Sequence, residues 1–311
     1  MGRQGLYPDA PPPPCVLGYE GSGIIDLVGE GNDLEKNPWA KVGARVLFFS
    51  RFGAHADTVV LDTSFVFPMP DNMTFEEGAA IPVVYLTAYH CLFRIANLRP
   101  KESVLIQAAA GGVGTAAIQL AKTVPGVTIY GTASASKHEA IKKLGCDHTI
   151  DYRTQQFDEE IAKLTNGKGV NVILDAVGGD SLKRGYKILK KPGRLISFGA
   201  SAFSSGSERS ILHLVSTYFK IPTFNPMTLM GDNALIAGVN MLKFFDDVEV
   251  IRDEFEEIIS LYEKGLIKPI IDEVFKFSQV GDAHKKMQER QNIGKVVLVP
   301  DEPIEVSASS E

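Results

Sequence analysis

The chain has 311 residues, of which 44% are hydrophobic and 23% are charged, a balance typical of a soluble globular protein with one large or two ordinary domains. Its formal net charge of −6, without any stretch dense in Lys and Arg, excludes nucleic acid as an expected partner. Three widely spaced cysteines, Cys15, Cys91 and Cys146, exclude a disulfide framework and a zinc knuckle, and they favour structural thiols in a reducing compartment.

The N-terminal segment MGRQGLYPDAPPPPC has no apolar core, so the sequence predicts no signal peptide. The longest apolar stretch, residues 79–93, is short for a bilayer span and contains Pro82 and His90. We therefore expect a cytoplasmic protein without a membrane-spanning segment. Peripheral association with vesicle or organelle membranes stays open at this point.

The first elements in chain order predict a β-rich region. The predicted strands are residues 24–28, 43–50 and 54–61. Each is a short apolar run bounded by glycines or other turn residues. A helix is then expected to start at Thr74, which can cap it, with Glu76 and Glu77 in the first turn.

From residue 100 onward, apolar runs alternate with segments of helical spacing. The predicted strands are residues 103–109, 127–133, 146–152, 170–177, 193–200 and 233–242. Strands this apolar, joined by helices, imply a parallel sheet covered on both faces, and the right-handed crossover rule then predicts a doubly wound α/β fold. Past residue 250, a helix stopped by Gly265 and two strands around a further helix return to mixed character, which is expected to complete the first domain.

The most informative segment is the glycine-rich turn after the first of these strands. It reads Ala109-x-Gly111-x-x-Gly114, with an extra glycine at 112, and so departs from the usual G-x-G-x-x-G at its first residue. Gly111 would let the backbone approach a pyrophosphate, Gly114 would let the helix pack closely, and the amides of Gly112, Val113 and Gly114 would face the phosphate. The alternative is a turn that serves only helix–strand packing. The position of the glycine-rich turn, after the first strand of five or six alternating strand–helix units, favours dinucleotide binding.

The residues about 20 positions further on bear on the choice of cofactor. An acid that binds the adenosine ribose is expected there, yet Asp and Glu are absent from residues 131–134 and the first to occur is Glu139. A carboxylate would favour NAD, whereas Ser134 and Lys137 favour the 2′-phosphate of NADP through a hydroxyl and a cation. Tyr152, at the end of the next strand, is a third candidate contact. The alternative is that Lys137 is an ordinary solvated helix residue.

Several segments together carry a resemblance to a known family: RQGLYP, GYEGSGIIDLVGEG, AAIPVVYLTAY, AAAGGVGTAAIQLAK, GTASASKHEA, LDAVGG and IGKVVLVP. The chain resembles the medium-chain dehydrogenase/reductase superfamily, its quinone oxidoreductase branch, and especially the synaptic-vesicle membrane protein (vesicle amine transport) subgroup. The resemblance implies a Rossmann NADP-binding domain over 86–241 and a GroES-like catalytic domain built from 1–85 and 242–300. It also implies that strands preceding RQGLYP are missing here, and the polar tail 301–311 is expected to be disordered.

The resemblance also implies an activity, the transfer of hydride from NADPH to a quinone or to an activated, carbonyl-conjugated double bond. Zinc-dependent members carry Gly-His-Glu where this chain has Gly18-Tyr19-Glu20, so we expect chemistry without zinc. Charge on the carbonyl oxygen then needs a hydrogen-bond donor, for which Tyr7 is the first candidate and Tyr19 the second. For each tyrosine the alternative is a ring that only packs.

Further cofactor contacts follow from the resemblance alone. Thr87 is expected near the pyrophosphate or the nicotinamide ribose. Val177, Gly178, Phe198 and Gly199 are expected on the nicotinamide side, although packing alone could explain Val177 and Phe198. The family habit is a homodimer. Two other functions stay open, a vesicle- or membrane-associated NADPH-binding protein with little or no turnover and a nonenzymatic structural protein.

Overall fold

The computed structural model describes residues 11–31, 35, 37–203, 210–244 and 247–302. The chain divides into two compact units, Met1–Leu86 with Leu242–Glu311, and Thr87–Met241. Tyr7 lies outside the described residues. Of the predicted tail only Asp301 and Glu302 are described, and the Asp301 carboxylate accepts a hydrogen bond from the Ser278 amide at 3.1 Å.

The first unit contains an antiparallel sheet of order β1-β2-β3. Its strands are β1 Glu20–Ile24, β2 Arg45–Phe49 and β3 Val66–Pro68. A Cβ on Gly21 would lie 2.5 Å from the ring of Phe48, its partner in the ladder, so a larger residue here would displace that ring. The core beneath the sheet is aromatic, with the ring centroids of Phe67 and Phe255 4.3 Å apart.

Two of the predicted strands in this region are wrong. The first strand runs over Glu20–Ile24 rather than 24–28, because its apolar partner strand pairs with the glycine-containing segment. Residues 54–61 form no strand: the amide of His55 bonds the carbonyl of Leu17 at 2.8 Å, but the pairing does not continue and Val60 is 95% exposed. A short apolar run alone therefore did not produce a ladder here.

The rest of the first unit is helical apart from one parallel pair of strands. Its elements are α1 Phe75–Ala79, α10 Val248–Glu263, β10 Ile271–Lys276, α11 Val280–Gln288 and β11 Lys295–Val299. Thr74 caps α1 as predicted: its hydroxyl accepts from the Glu77 amide at 3.2 Å, and the Glu77 carboxylate accepts from the Thr74 amide at 3.1 Å. This capping box satisfies two backbone donors that a helix start leaves open.

The second unit is a six-stranded parallel sheet of order β6-β5-β4-β7-β8-β9. Its strands are β4 Ser103–Ile106, β5 Thr128–Ala133, β6 His148–Asp151, β7 Val170–Asp175, β8 Leu189–Ser197 and β9 Ala234–Gly238. The predicted doubly wound fold is confirmed. The strand order reverses between β4 and β7, and open α/β sheets bind ligands beyond the carboxyl ends of strands at such a point.

Helices precede, connect or follow these strands in the chain. They are α2 Pro82–Tyr89, α3 Gly112–Lys122, α4 His138–Lys143, α5 Phe157–Leu164, α6 Asp180–Lys187, α7 Ile211–Phe219, α8 Pro226–Asp232 and α9 Met241–Phe244. α2 runs directly into a π-helix over His90–Ile95, which accounts for the apolar stretch 79–93. Among the described residues, no helix combines the length and the apolar character that crossing a bilayer requires.

Candidate functional site

The parallel register of the second unit brings the predicted site segments to one edge of the sheet. β4 pairs with β5 up to Ile106 opposite Gly131, and β5 pairs with β6 up to Ala133 opposite Asp151. Ser134 therefore follows the end of β5 directly beside the residue that follows β6, which is Tyr152. The glycine-rich turn leaves the sheet at the same edge, after β4.

The glycine-rich turn forms the start of α3. Gly111 is its N-cap residue and has no side chain to occupy the amides of the first turn, and the first turn contains no acidic residue. The Thr115 amide bonds the Gly111 carbonyl at 2.9 Å, so the amides of residues 112–114 have no carbonyl of their own helix to bond. Three N–H donors and the positive end of the helix dipole therefore lie at the amino terminus of α3, the arrangement that binds phosphate.

Close packing explains which residues of the turn are glycine. A Cβ on Gly114 would lie 2.4 Å from the Ala108 carbonyl oxygen, so helix α3 sits directly on the turn, as predicted. Ala109 stands where the usual motif has glycine, and it faces Gly131, on which a Cβ would lie 2.9 Å from the Ala109 Cβ. The methyl group of Ala109 is therefore tolerated because the neighbouring strand has no side chain there.

The predicted 2′-phosphate residues lie around the ends of β5 and β6. Ser134 is 3% exposed, and its hydroxyl lies 3.4 Å from that of Ser136, which is exposed. Lys137 ends the 3-10 turn that Ser134 begins, and its amide bonds the Ser134 carbonyl at 2.9 Å. Tyr152 is 41% exposed. Sequence reasoning did not single out Ser136, which has the more accessible of the two hydroxyls.

Asp151 and Arg153 at the end of β6 were also missed. The Asp151 carboxylate accepts hydrogen bonds from the Arg153 amide at 3.0 Å and the Thr154 hydroxyl at 3.1 Å. The Arg153 amide contributes most to lowering the pKa of this carboxyl group. The Asp-x-x-Thr spacing is the signal that could have predicted this turn. In this turn the Asp151 carboxylate bonds the neighbouring backbone, and Arg153 provides a second cation at this edge of the sheet.

The nicotinamide-side candidates lie together at the ends of β7 and β8. The Asp175 carboxylate, fully buried, accepts from the amides of Val177 at 2.8 Å and Gly178 at 2.7 Å. The Phe198 amide bonds the Asp175 carbonyl at 3.0 Å, and a Cβ on Gly178 would lie 3.4 Å from the Gly199 carbonyl oxygen. Asp175 thus shapes this turn, a role that sequence reasoning did not predict.

Comparison with known proteins identifies the family. Residues 144–298 match the family model described as zinc-binding dehydrogenase. The chain is 42% identical over 301 residues to the synaptic vesicle membrane protein VAT-1 homolog of Danio rerio, covering 97% of this chain and 61% of that protein. It is 42% identical over 300 residues to the Homo sapiens homolog, covering 96% and 75%.

The chain belongs to the VAT-1 family.

The membership confirms the resemblance to the medium-chain dehydrogenase/reductase superfamily. The chain spans less than two thirds of the Danio rerio relative. The crystal structure of the human VAT-1 homolog-like protein matches with a TM-score of 0.81 at 34% identity, covering 98% of this chain and 85% of that one. Escherichia coli quinone oxidoreductase complexed with NADPH matches with a TM-score of 0.80 at 30% identity, covering 96% and 86%.

The remaining predicted residues of this VAT-1 family chain are Thr87, Tyr7 and Tyr19. Thr87 lies in α2 and is 5% exposed, and its contact with a cofactor stays a prediction. Tyr7 is outside the described residues. The Tyr19 ring lies 5.1 Å from that of Phe52, centroid to centroid, and its carbonyl accepts from the Ser50 amide at 2.7 Å. Packing is thus shown for Tyr19, and a catalytic role stays a prediction.

Tyr19 occupies the position of the family's zinc-ligating histidine. Glu20, the next residue, makes structural contacts. One carboxylate oxygen bonds the amide of Val83 at 2.7 Å, and the other forms an ion pair with Lys295. Both oxygens are therefore occupied within the first unit. Within the described ranges, His, Cys, Asp and Glu side chains form no group of three or more that could hold a metal.

The buried thiol of Cys146 has little nucleophilic character. Burial raises the pKa of Cys146 to about 12, against the effect of a hydrogen bond that its sulfur donates to the His148 carbonyl at 3.3 Å. Cys91 is also buried, whereas Cys15 is exposed. The thiolate is the reactive form, so Cys146 acts as a packing residue beside Gly131.

Proposed function

We propose that this chain is an NADPH-dependent oxidoreductase that transfers hydride, without zinc, to a quinone or an enone-type double bond. One observation carries the proposal: the uncapped amides of the glycine-rich turn and the set Ser134, Lys137 and Tyr152 lie at one edge of the sheet, where β5 ends without a carboxylate. Two structural relatives are complexes with NADPH, which supports the same cofactor here.

The residues present fit a dinucleotide. The pyrophosphate would be held by the amides of residues 112–114, which have no competing side-chain cap. The 2′-phosphate would be held by the cations and hydroxyls at the ends of β5 and β6. A carboxylate at the end of β5 would repel that phosphate, so Ser134 in its place favours NADPH over NADH.

Bound NADPH would supply the hydride, and the protein's part is to orient the two reactants and exclude water. The turn of Val177 and Gly178, held by Asp175, and the adjacent Phe198 would bound the nicotinamide. Negative charge that develops on the substrate's carbonyl oxygen needs a donor. We propose Tyr7, and secondarily Tyr19, for that hydrogen bond, with solvent as the source of the proton.

Chemistry without zinc is supported by the residue at the position of the family's zinc-ligating histidine, which is Tyr19 in this chain. Glu20 beside it has structural contacts with the Val83 amide and with Lys295. A phenol at Tyr19 does not replace the imidazole of zinc-dependent relatives. Metal analysis of the purified chain should find substoichiometric zinc, and removal of trace metal with a chelator should leave turnover unchanged.

A second candidate function is supported by the exposed face of α7. The apolar residues Ile211, Leu212, Val215, Tyr218 and Phe219 recur at helical spacing on one side, with Leu212 85% and Phe219 81% exposed. Exposed apolar surface of this kind marks a contact with a partner or a membrane. It favours a membrane-associated NADPH-binding protein with little turnover, in keeping with the names of its relatives as vesicle membrane proteins.

The main proposal places a second copy of the chain on this face. β9 is the last strand in the sheet order, so its outer edge is available for a contact between two chains. A homodimer formed through this face would bury the apolar residues of α7 and withhold them from a bilayer.

Turnover distinguishes the two functions. We expect loss of NADPH absorbance on addition of members of a quinone and enone panel, at a rate well above that without enzyme. NADPH binding without turnover on any of these acceptors would favour the membrane-associated candidate. Failure to bind either dinucleotide would contradict both.

A further inference from the structure

Four buried polar side chains form a continuous line of hydrogen bonds beneath the proposed cofactor site. Thr132 belongs to β5, Gln107 directly follows β4, Ser181 lies in the first turn of α6, and Asp175 ends β7. All four are between 0% and 8% exposed. The line therefore crosses three neighbouring strands at their carboxyl ends, including the point where the strand order reverses.

The line has a single direction. The Asp175 carboxylate accepts from the Ser181 hydroxyl, so the Ser181 oxygen accepts from the Gln107 amide nitrogen at 3.4 Å. The Gln107 amide oxygen then accepts from the Thr132 hydroxyl at 2.7 Å, and the Thr132 oxygen accepts from the Ala108 backbone amide at 3.1 Å. A carboxylate only accepts hydrogen bonds, and a backbone amide only donates them. Each side chain between these two ends therefore accepts a hydrogen bond from one neighbour and donates one to the other.

The two ends of the line hold the two turns that would contact the cofactor. Ala108 has a φ of +53°, a left-handed conformation unusual for alanine, and its carbonyl accepts the Gly111 amide at 2.9 Å. At the other end Asp175 holds the amides of Val177 and Gly178, and Gly178 has a φ of +75°. The Ala108 turn adopts a conformation that needs support from its surroundings, whereas glycine adopts a positive φ freely, so the turn after β7 is held by the hydrogen bonds to Asp175.

We propose that Gln107 and Ser181 are positioning residues that set the spacing between the phosphate-binding turn and the nicotinamide-side turn. The inference rests on the proposed function, because it assigns the line a purpose only if a dinucleotide spans both turns. Apolar side chains could fill the same space without burying four polar groups. A fully satisfied polar line instead specifies one geometry for the two turns it joins.

The test compares NADPH with adenosine 2′,5′-bisphosphate, which lacks the nicotinamide half. Ser181→Ala removes the donor to one oxygen of the Asp175 carboxylate and the acceptor of the Gln107 amide nitrogen, so we expect the Kd of NADPH to rise about tenfold. The Kd of adenosine 2′,5′-bisphosphate should stay within about a factor of two, because the variant breaks the line on the nicotinamide side. Fluorescence titration of the full chain measures both.

Ser103→Ala is the matched control. Ser103 is also buried, and its hydroxyl donates to the Asn171 side chain at 3.0 Å, but it lies at the amino end of β4. We expect it to change neither affinity. Equal weakening of both ligands by Ser181→Ala would show a general structural defect and overturn the inference, as would an unchanged Kd for NADPH.

A second pair of variants keeps the test decisive if Ser181→Ala does not fold. Thr132→Val removes the hydroxyl that supports Ala108 and should weaken both ligands, whereas Thr132→Ser retains the hydroxyl and should bind both as the unaltered chain does. Identical affinities for the Val and Ser variants would overturn the inference. If the unaltered chain binds adenosine 2′,5′-bisphosphate and NADPH, the proposed cofactor stands whatever the variants show, and if it binds neither, both proposals fail.

Discussion

Among single residues, Lys137 is the proposed determinant of cofactor choice, because it ends the 3-10 turn that follows β5, and an acid at the end of β5 would select NAD. Lys137→Glu places a carboxylate beside the proposed 2′-phosphate. We expect the Kd of NADPH to rise roughly tenfold or more, the cost of losing a charge-assisted contact, while that of NADH changes little. Calorimetric titration with both cofactors measures the difference.

Lys143→Glu is the charge-matched control for this substitution. Lys143 is an exposed residue in the last turn of α4, the helix that follows Lys137, away from the end of β5. It should leave the ratio of the two affinities unaltered. If Lys137→Glu raised the Kd of NADPH and that of NADH equally, Lys137 would be an ordinary solvated lysine.

Gly114 tests the glycine-rich turn by packing rather than charge. In Gly114→Ala the new Cβ would lie 2.4 Å from the backbone oxygen of Ala108, which cannot move independently of the turn. We expect a loss of about 2 kcal/mol in the free energy of unfolding, together with weaker NADPH binding. Urea denaturation followed by cofactor titration provides both values.

Gly231→Ala in α8 serves as the comparison, because a Cβ there meets nothing within 4 Å. The free energy of unfolding should stay the same or rise by up to about 1 kcal/mol, since alanine favours helix. A tolerated Gly114→Ala with intact binding would show that α3 does not depend on this close approach.

At the scale of elements, helix α1 depends on its capping box. Thr74→Ala removes the acceptor for the Glu77 amide and should lower the free energy of unfolding by about 1 kcal/mol. Thr228→Ala, an exposed threonine within α8, should change it by less than about 0.5 kcal/mol. Equal losses in the two variants would argue against a special role for the cap.

The same box makes α1 sensitive to acid. Burial of Glu77 favours its neutral form, but the hydrogen bonds from the Thr74 amide, the Tyr262 hydroxyl and Lys268 outweigh burial and lower its pKa. A depressed folded-state pKa means that this stabilisation is complete above the unfolded value of about 4.3 and is lost as the pH falls through the folded value. Urea denaturation of the unaltered chain across pH 6 to 3 should show stability falling in that window, and a Glu77→Gln variant should show a smaller decrease.

How far the sequence predicts each element depends on whether the element's signals are local. Strands such as β5 and β7 combine a buried apolar run with a following turn, and the structure places them where the pattern predicts. α2 was not predicted as a helix, because Pro82 reads as a break although proline suits the first position of a helix. The segment 54–61 was wrongly predicted as a strand, because an apolar run forms a strand only where a neighbouring strand continues to pair with it.

The candidate site also contains parts with a local sequence signal and parts without one. Consecutive β-α units place Ser134 and Tyr152 at adjacent strand ends, so the proposed 2′-phosphate edge could be predicted from the sequence. The line from Thr132 to Asp175 could not, because the hydrogen bond between Gln107 and Ser181 joins residues 74 positions apart. A buried glutamine in an apolar strand end carries no local signal of its partner.

At the scale of the whole molecule, the exposed face of α7 must be covered if it is not to aggregate. We expect the chain to sediment as a dimer and to remain at the bottom of a gradient with liposomes. Leu212→Glu with Phe219→Glu should give a monomer, because it places two charges within the face that the second copy covers.

Leu164→Glu, which alters an exposed leucine at the end of α5, should leave the sedimentation unchanged. A monomer that floats with liposomes, and that the double variant keeps from floating, would instead support the membrane-associated candidate.

The central claim is that the ends of β4, β5 and β6 form an NADPH site. Calorimetric titration of the purified full chain with NADPH and then with NADH tests it most directly. We expect saturable binding of one NADPH per chain, with NADH at least about tenfold weaker because it lacks the 2′-phosphate. Equal affinity for the two cofactors, or no binding of NADPH, would contradict the account.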